Sequence, residues 1–157
     1  MDIIVRFAKK DDLEMVNVYR KQVNDLHVAG RPDVFKAGFC TEMQEFVYKQ
    51  FESNTSDIIV AEYDGDIVGF ATVNHIVKPS SPYSCERKIY QISEFGVDEN
   101  HQRKGIATLI MNFIKTDAKN KGFSNVELDV YEFNKKAIEF YKTVGFTTYR
   151  RYLELNI

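Results

Sequence analysis

Between Tyr90 and Thr108 the chain reads YQISEFGVDENHQRKGIAT, and no other stretch limits the available folds as strongly. It opens as a strand, with Ile92, Glu94 and Gly96 alternating with Ser93, Phe95 and Val97. A polar turn follows from Asp98 to Lys104, and its last two residues are basic. A helix then starts at Gly105, with Ile106, Leu109, Ile110, Phe113 and Ile114 at helical spacing. A strand that feeds a basic turn and a helix start makes an anion site. Unpaired N–H groups and the positive end of the helix dipole converge there. Gly105 removes the side chain where a phosphate must approach backbone, and Ala107 stays small. The spacing fits neither the Walker P-loop nor the dinucleotide Gly-x-Gly-x-x-Gly turn.

At 157 residues the chain has the length of one domain around one core, and residues 1–157 are expected to form it. A net charge of −2 argues against nucleic-acid or membrane-surface binding. No apolar run approaches the ~20 residues of a membrane span. The start, Met1-Asp2-Ile3-Ile4-Val5-Arg6, lacks the basic and long apolar stretches of a secretory signal. Cys40 and Cys85 form no metal-binding or disulfide pattern, so no metal is expected and the cytoplasm is the default compartment.

Ile3 to Ala8 reads as a first strand, and the helix after it, capped by Asp11 or Asp12, carries Leu13, Val16, Tyr19, Val23 and Leu26 on one stripe. Gly30 and Pro32 break the chain before a second helix from about Thr41 to Phe51. Asp57–Tyr63 and Ile67–Val77 pair through an Asp64-Gly65 hairpin turn. Beyond the central strand and helix, Gly122 serves as a left-handed cap. Asn125–Tyr131 is a strand, Asn134–Val144 a short helix, and Phe146–Arg150 and Arg151–Leu155 two last strands. The order β-α-α-β-β-β-α-β-α-β-β predicts an α/β domain with a mixed sheet.

Two motifs in this order resemble the hallmarks of the GCN5-related N-acetyltransferase (GNAT) superfamily. Gln102-Arg103-Lys104-Gly105-Ile106-Ala107 matches its acyl-CoA pattern Gln/Arg-x-x-Gly-x-Gly/Ala. Asn134, Ala137, Phe140 and Tyr141, followed by Gly145-Phe146, match its Asn-x-x-Ala-x-x-Phe-Tyr helix and Gly-Phe end. The specific motifs lie between about Ile92 and Phe146, while the element order fits nearly the whole chain.

The resemblance implies a GNAT-type acyl-CoA N-acyltransferase fold. In it the strands Tyr90–Val97 and Asn125–Tyr131 run parallel and splay at their C-terminal ends, with acetyl-CoA in the wedge. It further implies that backbone groups of Phe95, Gly96 and Val97 pair with the pantetheine arm. Gln102, Arg103, Lys104, Gly105, Ile106, Ala107 and Thr108 would cradle the pyrophosphate, and Asn134 would bond the arm while also capping its helix. Tyr141 is implied beside the sulfur as general acid. A phenol of pKa ~10 stays protonated at neutral pH and suits a thiol leaving group of pKa ~8.5. Glu94 and Asp129 are the candidate bases. A Glu stands at the position matching Asp129, between a similar Leu and Val, in the family's ribosomal-protein N-terminal acetyltransferases. His27, Arg31, Asp33 and Phe35 lie in the helix–helix connection that lines the acceptor pocket in such folds, and His75, Tyr83 and Cys85 are further candidates to border it.

The expected activity is direct transfer of the acetyl group of acetyl-CoA to a primary amine in a ternary complex. The rival is a non-catalytic acyl-CoA-binding sensor, which would need Gly105 and Ala107 but not Tyr141. The acceptor, a small molecule or a peptide amine, is not encoded in any motif. Arg151–Ile157 reads as a spare strand able to pair between subunits in a homodimer.

Overall fold

The computed structural model describes residues 2–157. In chain order it contains β1 (Ile3–Phe7), α1 (Leu13–Gly30), α2 (Thr41–Glu52), β2 (Ser56–Tyr63), β3 (Asp66–Lys78), β4 (Arg87–Val97), α3 (Ile106–Asn120), β5 (Asn125–Glu127) and α4 (Lys135–Thr143). The strands form one sheet in the order β1-β2-β3-β4-β5. The first four are antiparallel neighbours, and β4 pairs with β5 in parallel. Asp64 and Gly65 both take positive φ, 54° and 86°, as a two-residue turn matched to strand twist requires.

The sheet is buried on both faces, which explains why β2 reads as a run of apolar residues instead of an alternation. Ile58 and Val60 meet Leu13, Val16, Tyr19 and Val47 of α1 and α2. Ile59 and Ala61 meet Ile106, Ile110, Met111 and Ile114 of α3 on the other side. Each such side chain, fully buried, contributes roughly 1.5–3 kcal/mol.

Three expectations need correction. The strand expected over 125–131 pairs only from Asn125 to Glu127. Phe146–Arg150 and Arg151–Leu155 form no strands. A strand exists through its ladder; Phe146 bonds only back to the Tyr141 carbonyl, and the residues after it run exposed with no backbone partner among the described residues. Last, the alternation along β4 is broken. Thr72 of β3 faces Glu94 while Val73 faces Ile92, so Ser93 is an extra residue in a β-bulge. Its hydroxyl lies 2.8 Å from that of Thr72.

Candidate active site

The bulge sets the site. Before it, Tyr90 and Ile92 pack in the core under α3; after it, Phe95 and Val97 do. Glu94 and Gly96 are thereby turned to the face covered by α1. A Cβ on Gly96 would meet Val23 of α1 and Phe70, each at 3.0 Å. Glu94 Oε1 accepts a 2.9 Å bond from Arg20 Nε of α1. Arg20 is 5% exposed and is itself held by Asn17 Oδ1 at 2.9 Å and the Met43 carbonyl at 2.6 Å. The Glu94 side chain keeps 25% of its surface open.

The splay is visible in the pairing. β4 keeps its β3 neighbour as far as Val97, yet keeps β5 only over Ile89, Tyr90 and Gln91. From Ile92 to Val97 the backbone groups that point away from β3 have no strand to bond. Such a row is a template for an extended ligand. At the end of this edge the turn reaches Gly105, which caps α3 at φ 78°. A Cβ there would meet nothing within 4 Å, so its glycine is a matter of backbone conformation and open approach. Among the described residues no backbone carbonyl takes the N–H groups of Ile106, Ala107 or Thr108; the first amide bonded back is Leu109, to Gly105. Free amides at a helix start suit a phosphate.

The basic residues of the turn divide. Arg103 is exposed and takes φ 66°, an uncommon conformation for a non-glycine residue. Lys104 sits 5.0 Å over the Tyr63 ring. Gln102 Oε1 accepts from Lys136 Nζ of α4 at 2.7 Å, tying the turn to that helix. His101 Nδ1 lies 2.6 Å from Asp98 Oδ2.

Across the wedge stands α4. Asn134 caps it, accepting from the Ala137 amide at 3.4 Å. Phe95 of β4 stacks on Phe140 with centroids 5.8 Å apart, and Tyr141 lies 6.4 Å from Phe95 and 5.6 Å from Phe146. Burial among these rings, and no hydrogen-bonded or charged partner, pushes the Tyr141 phenol up to about 12. Leu128 packs in the core on the α3 side while Tyr131 meets His27 of α1, so the intervening Asp129 belongs to the α1 side, with Glu94. Asp129 is exposed.

Of the acceptor-side candidates, His27 and Phe35 cluster with Tyr131 at centroid distances of 5.0 to 6.0 Å. Arg31 pairs with Asp33 at 2.8 Å and with Glu154 at 3.0 Å. His75 does not join them. It pairs with Asp57 at 2.7 Å, opposite Tyr90 in the N-terminal half of β4. Tyr83 and Cys85 are exposed in the loop that enters β4, at its other end. Arg20 and Ser93 were not singled out from the sequence. Arg20 left one signal: a charge four residues after Val16 and three before Val23 on the apolar stripe. Ser93 left none. Two concavities, of about 460 Å³ beside Tyr48 of α2 and about 90 Å³ beside Phe51, do not touch the wedge. Backbone geometry, and not cavity size, marks this site.

A sequence model of the Acetyltransferase (GNAT) family matches residues 20–146. Among known proteins, N-acetyltransferase 8 of Homo sapiens is 27% identical over 107 residues, which are 68% of this chain and 45% of that protein. The chain thus spans about half the length of the curated relatives it matches. Among solved structures, a mutant BH1408 protein from Bacillus halodurans superposes with a TM-score of 0.94 at 29% identity, covering 98% of this chain and 99% of that one. AAC(6')-Iy in complex with a bisubstrate analog, CoA-S-monomethyl-acetylneamine, shares the fold with a TM-score of 0.79 at 16% identity, over 100% and 99% of the two chains. With the family match running from Arg20 on α1 to Phe146 just past α4, the chain belongs to the acetyltransferase (GNAT) family.

Proposed function

We propose that this chain transfers the acetyl group of acetyl-CoA to a primary amine, directly, within a ternary complex. One observation carries the reading: the unpaired edge of β4 from Ile92 to Val97 runs straight into the free amides of Ile106, Ala107 and Thr108. An extended arm bonded along that edge, at Phe95, Gly96 and Val97, delivers its diphosphate to the turn Gln102–Thr108. CoA has that shape, an amide-bearing arm attached to a pyrophosphate. Arg103 and Lys104 add charge there, and Asn134 flanks the arm. The residues present fit the co-substrate.

Glu94 and Asp129 place two carboxylates on the α1 side of the wedge, where a cationic amine is drawn in. Arg20 holds one oxygen of Glu94 and leaves the other free to take the ammonium proton through water. The amine nitrogen then bonds to the thioester carbonyl carbon while a β4 backbone N–H stabilises the oxygen, and the C–S bond breaks. A donor so placed contributes on the order of 10²–10³ in rate. Holding the two reactants together supplies a further large share. Tyr141, at about 12, keeps its proton at any physiological pH. Against a free thiol near 8.5 full transfer of that proton is uphill by about 5 kcal/mol. The same apolar rings raise the pKa of the departing thiol and narrow the gap. The phenol therefore first hydrogen-bonds the growing negative charge on sulfur and then protonates it, and is itself reprotonated, through water, by the second proton that the former amine nitrogen sheds as the amide forms.

The test is thiol release from acetyl-CoA against a panel of primary amines, with acetylated product identified by mass. CoA binding without amine-dependent thiol release would support a sensor instead. Glu94→Gln and Asp129→Asn separate the two carboxylates: loss of the base removes most of kcat, whereas loss of the cation-attracting group raises KM.

A further inference from the structure

Backbone conformation gives no reason for the glycine at position 30. Gly30 is the last residue of α1, and its φ is not positive. On a helix of ordinary dihedrals alanine is the better residue. Space gives the reason. Three atoms of the Phe133 ring would lie within 2.5 Å of a Cβ built on Gly30, whereas at Gly69 and Gly96 the nearest atoms would stand at 3.0 Å or more. The Phe133 ring thus rests on the bare backbone of α1. His27 and Tyr131 flank it, with centroids 5.7 and 5.8 Å away. His27 is fixed in turn, its Nδ1 donating to the Val23 carbonyl at 2.8 Å.

The segment that carries Phe133 needs such a hold. β5 stops at Glu127 and α4 starts at Lys135. Among the described residues, no ladder or backbone hydrogen bond ties the stretch between them to β4 or α1; the Asn134 amide bonds only to the Tyr131 carbonyl, within the stretch. Yet this stretch bears Asp129 and, at Asn134, caps the helix that carries Tyr141. Tyr141 follows that cap by about two helical turns, so the two move as one body. The far half of α4 is anchored on the α3 side, where Phe140 and Tyr141 pack and the Val144 carbonyl accepts from Lys115 Nζ at 2.8 Å. The near end is anchored on α1, over the opposite face of the sheet.

We infer that Phe133, seated on Gly30, is a positioning residue. It is a strut across the open end of the wedge that holds Asp129 and the Tyr141 helix at a set distance from Glu94 and α1. Its effect on turnover rests on the acetyl-transfer reading; the strut itself does not.

Gly30→Ala, Phe133→Leu and the two combined test it. The first adds bulk to the helix, the second takes bulk from the ring, and the combination restores the fit. Each single change should lower kcat for amine-dependent thiol release about tenfold, because a small misplacement of reacting groups is costly. KM for the amine should move less than about threefold, since both carboxylates are intact. The combined variant should recover most of the loss. Hydrogen exchange follows the same cycle without turnover. The amides of Ile138 to Thr143 should exchange about tenfold faster in each single variant and near the wild-type rate in the combination, with β2 and β3 unchanged. Wild-type kcat in the single variants would overturn the proposal. So would a combination no better than the worse single variant, or faster exchange spread equally over β2 and β3. A wild type that releases no thiol would sink the transfer reading, and the exchange cycle alone would then decide the strut.

Discussion

Tyr141 is half-buried, and its phenol pKa is raised by burial alone, with no partner for its hydroxyl contributing. Such a group does little for stability. Tyr141→Phe should therefore leave the melting temperature level or slightly higher, since a desolvated hydroxyl is removed from among Phe95, Phe140 and Phe146. Turnover should fall about 100-fold, at the lower end of what a positioned acid supplies, with the Kd for CoA nearly unchanged. Calorimetry and steady-state kinetics on one preparation check all three. Equal losses of binding and turnover would remove the tyrosine from the chemistry. Arg20 is the opposite case. It spends its donors on Glu94, Asn17 and the Met43 carbonyl, and lies 5.4 Å from the Phe39 ring. Arg20→Ala opens a void and strands Glu94, so denaturant melts should show a loss of about 2–3 kcal/mol, somewhat under that of a fully buried pair because Glu94 is partly wet. kcat should fall too, through the misplaced carboxylate.

At the scale of elements, the strand–turn–helix unit needs Gly105 in the left-handed region. Gly105→Ala meets no atom, so its cost is conformational, about 1–2 kcal/mol. If the helix start relaxes instead, the amides of Ile106 to Thr108 turn away. CoA should then bind about tenfold more weakly by calorimetry, while the melting temperature recovers most of the loss. This unit was legible in the sequence because its causes are local: a glycine, a helical period, a polar turn. The Asp64-Gly65 hairpin and the Gly122 cap were legible for the same reason, and both take the positive φ expected of them. The bulge at Ser93 was not. It is a property of the pairing between β3 and β4, and nothing in SEFG itself announces an extra residue. Without it Glu94 reads as the neighbour of Ile92 on one face; with it, Glu94 crosses to Arg20. The early end of β5 was hidden likewise, because NVELDVY has strand propensity throughout and pairing stops only where β4 diverges. The unpaired 146–155 stretch is the same lesson: propensity is present and the ladder is absent.

Taken whole, the molecule is two cores pressed on one sheet, and each has a tyrosine whose ring is buried and whose hydroxyl is tied inside. Tyr19, on the α1 side, donates to the Ile67 carbonyl at 2.7 Å; Tyr90, on the α3 side, donates to Asp117 at 2.7 Å. Burial is the leading cause in both, with nearby carboxylates adding to it, and it pushes Tyr19 up to about 12 and Tyr90 higher still. The consequence for stability has a definite sign. Below pH ~10 all these phenols are neutral in both folded and unfolded chains, and their contribution is fully present. Above it the unfolded chain releases its protons while the folded chain holds them, so stability falls as pH rises toward the folded values. A displacement of about 2 units is about 3 kcal/mol for Tyr19, and Tyr141 adds a similar loss over the same window. Two such losses approach the whole stability of an ordinary domain, 5–15 kcal/mol. Thermal melts should therefore hold level through neutral and mildly alkaline buffers and drop steeply between about pH 10 and 12. The share of tyrosinate absorbance that is lost in Tyr19→Phe should appear together with unfolding, not ahead of it. Tyr19→Phe should start lower by about 1 kcal/mol, for its lost hydrogen bond to Ile67, and then fall less steeply. A drop complete below pH ~10, or an unchanged slope in Tyr19→Phe, would show that these two cores do not hold their phenols as the geometry requires.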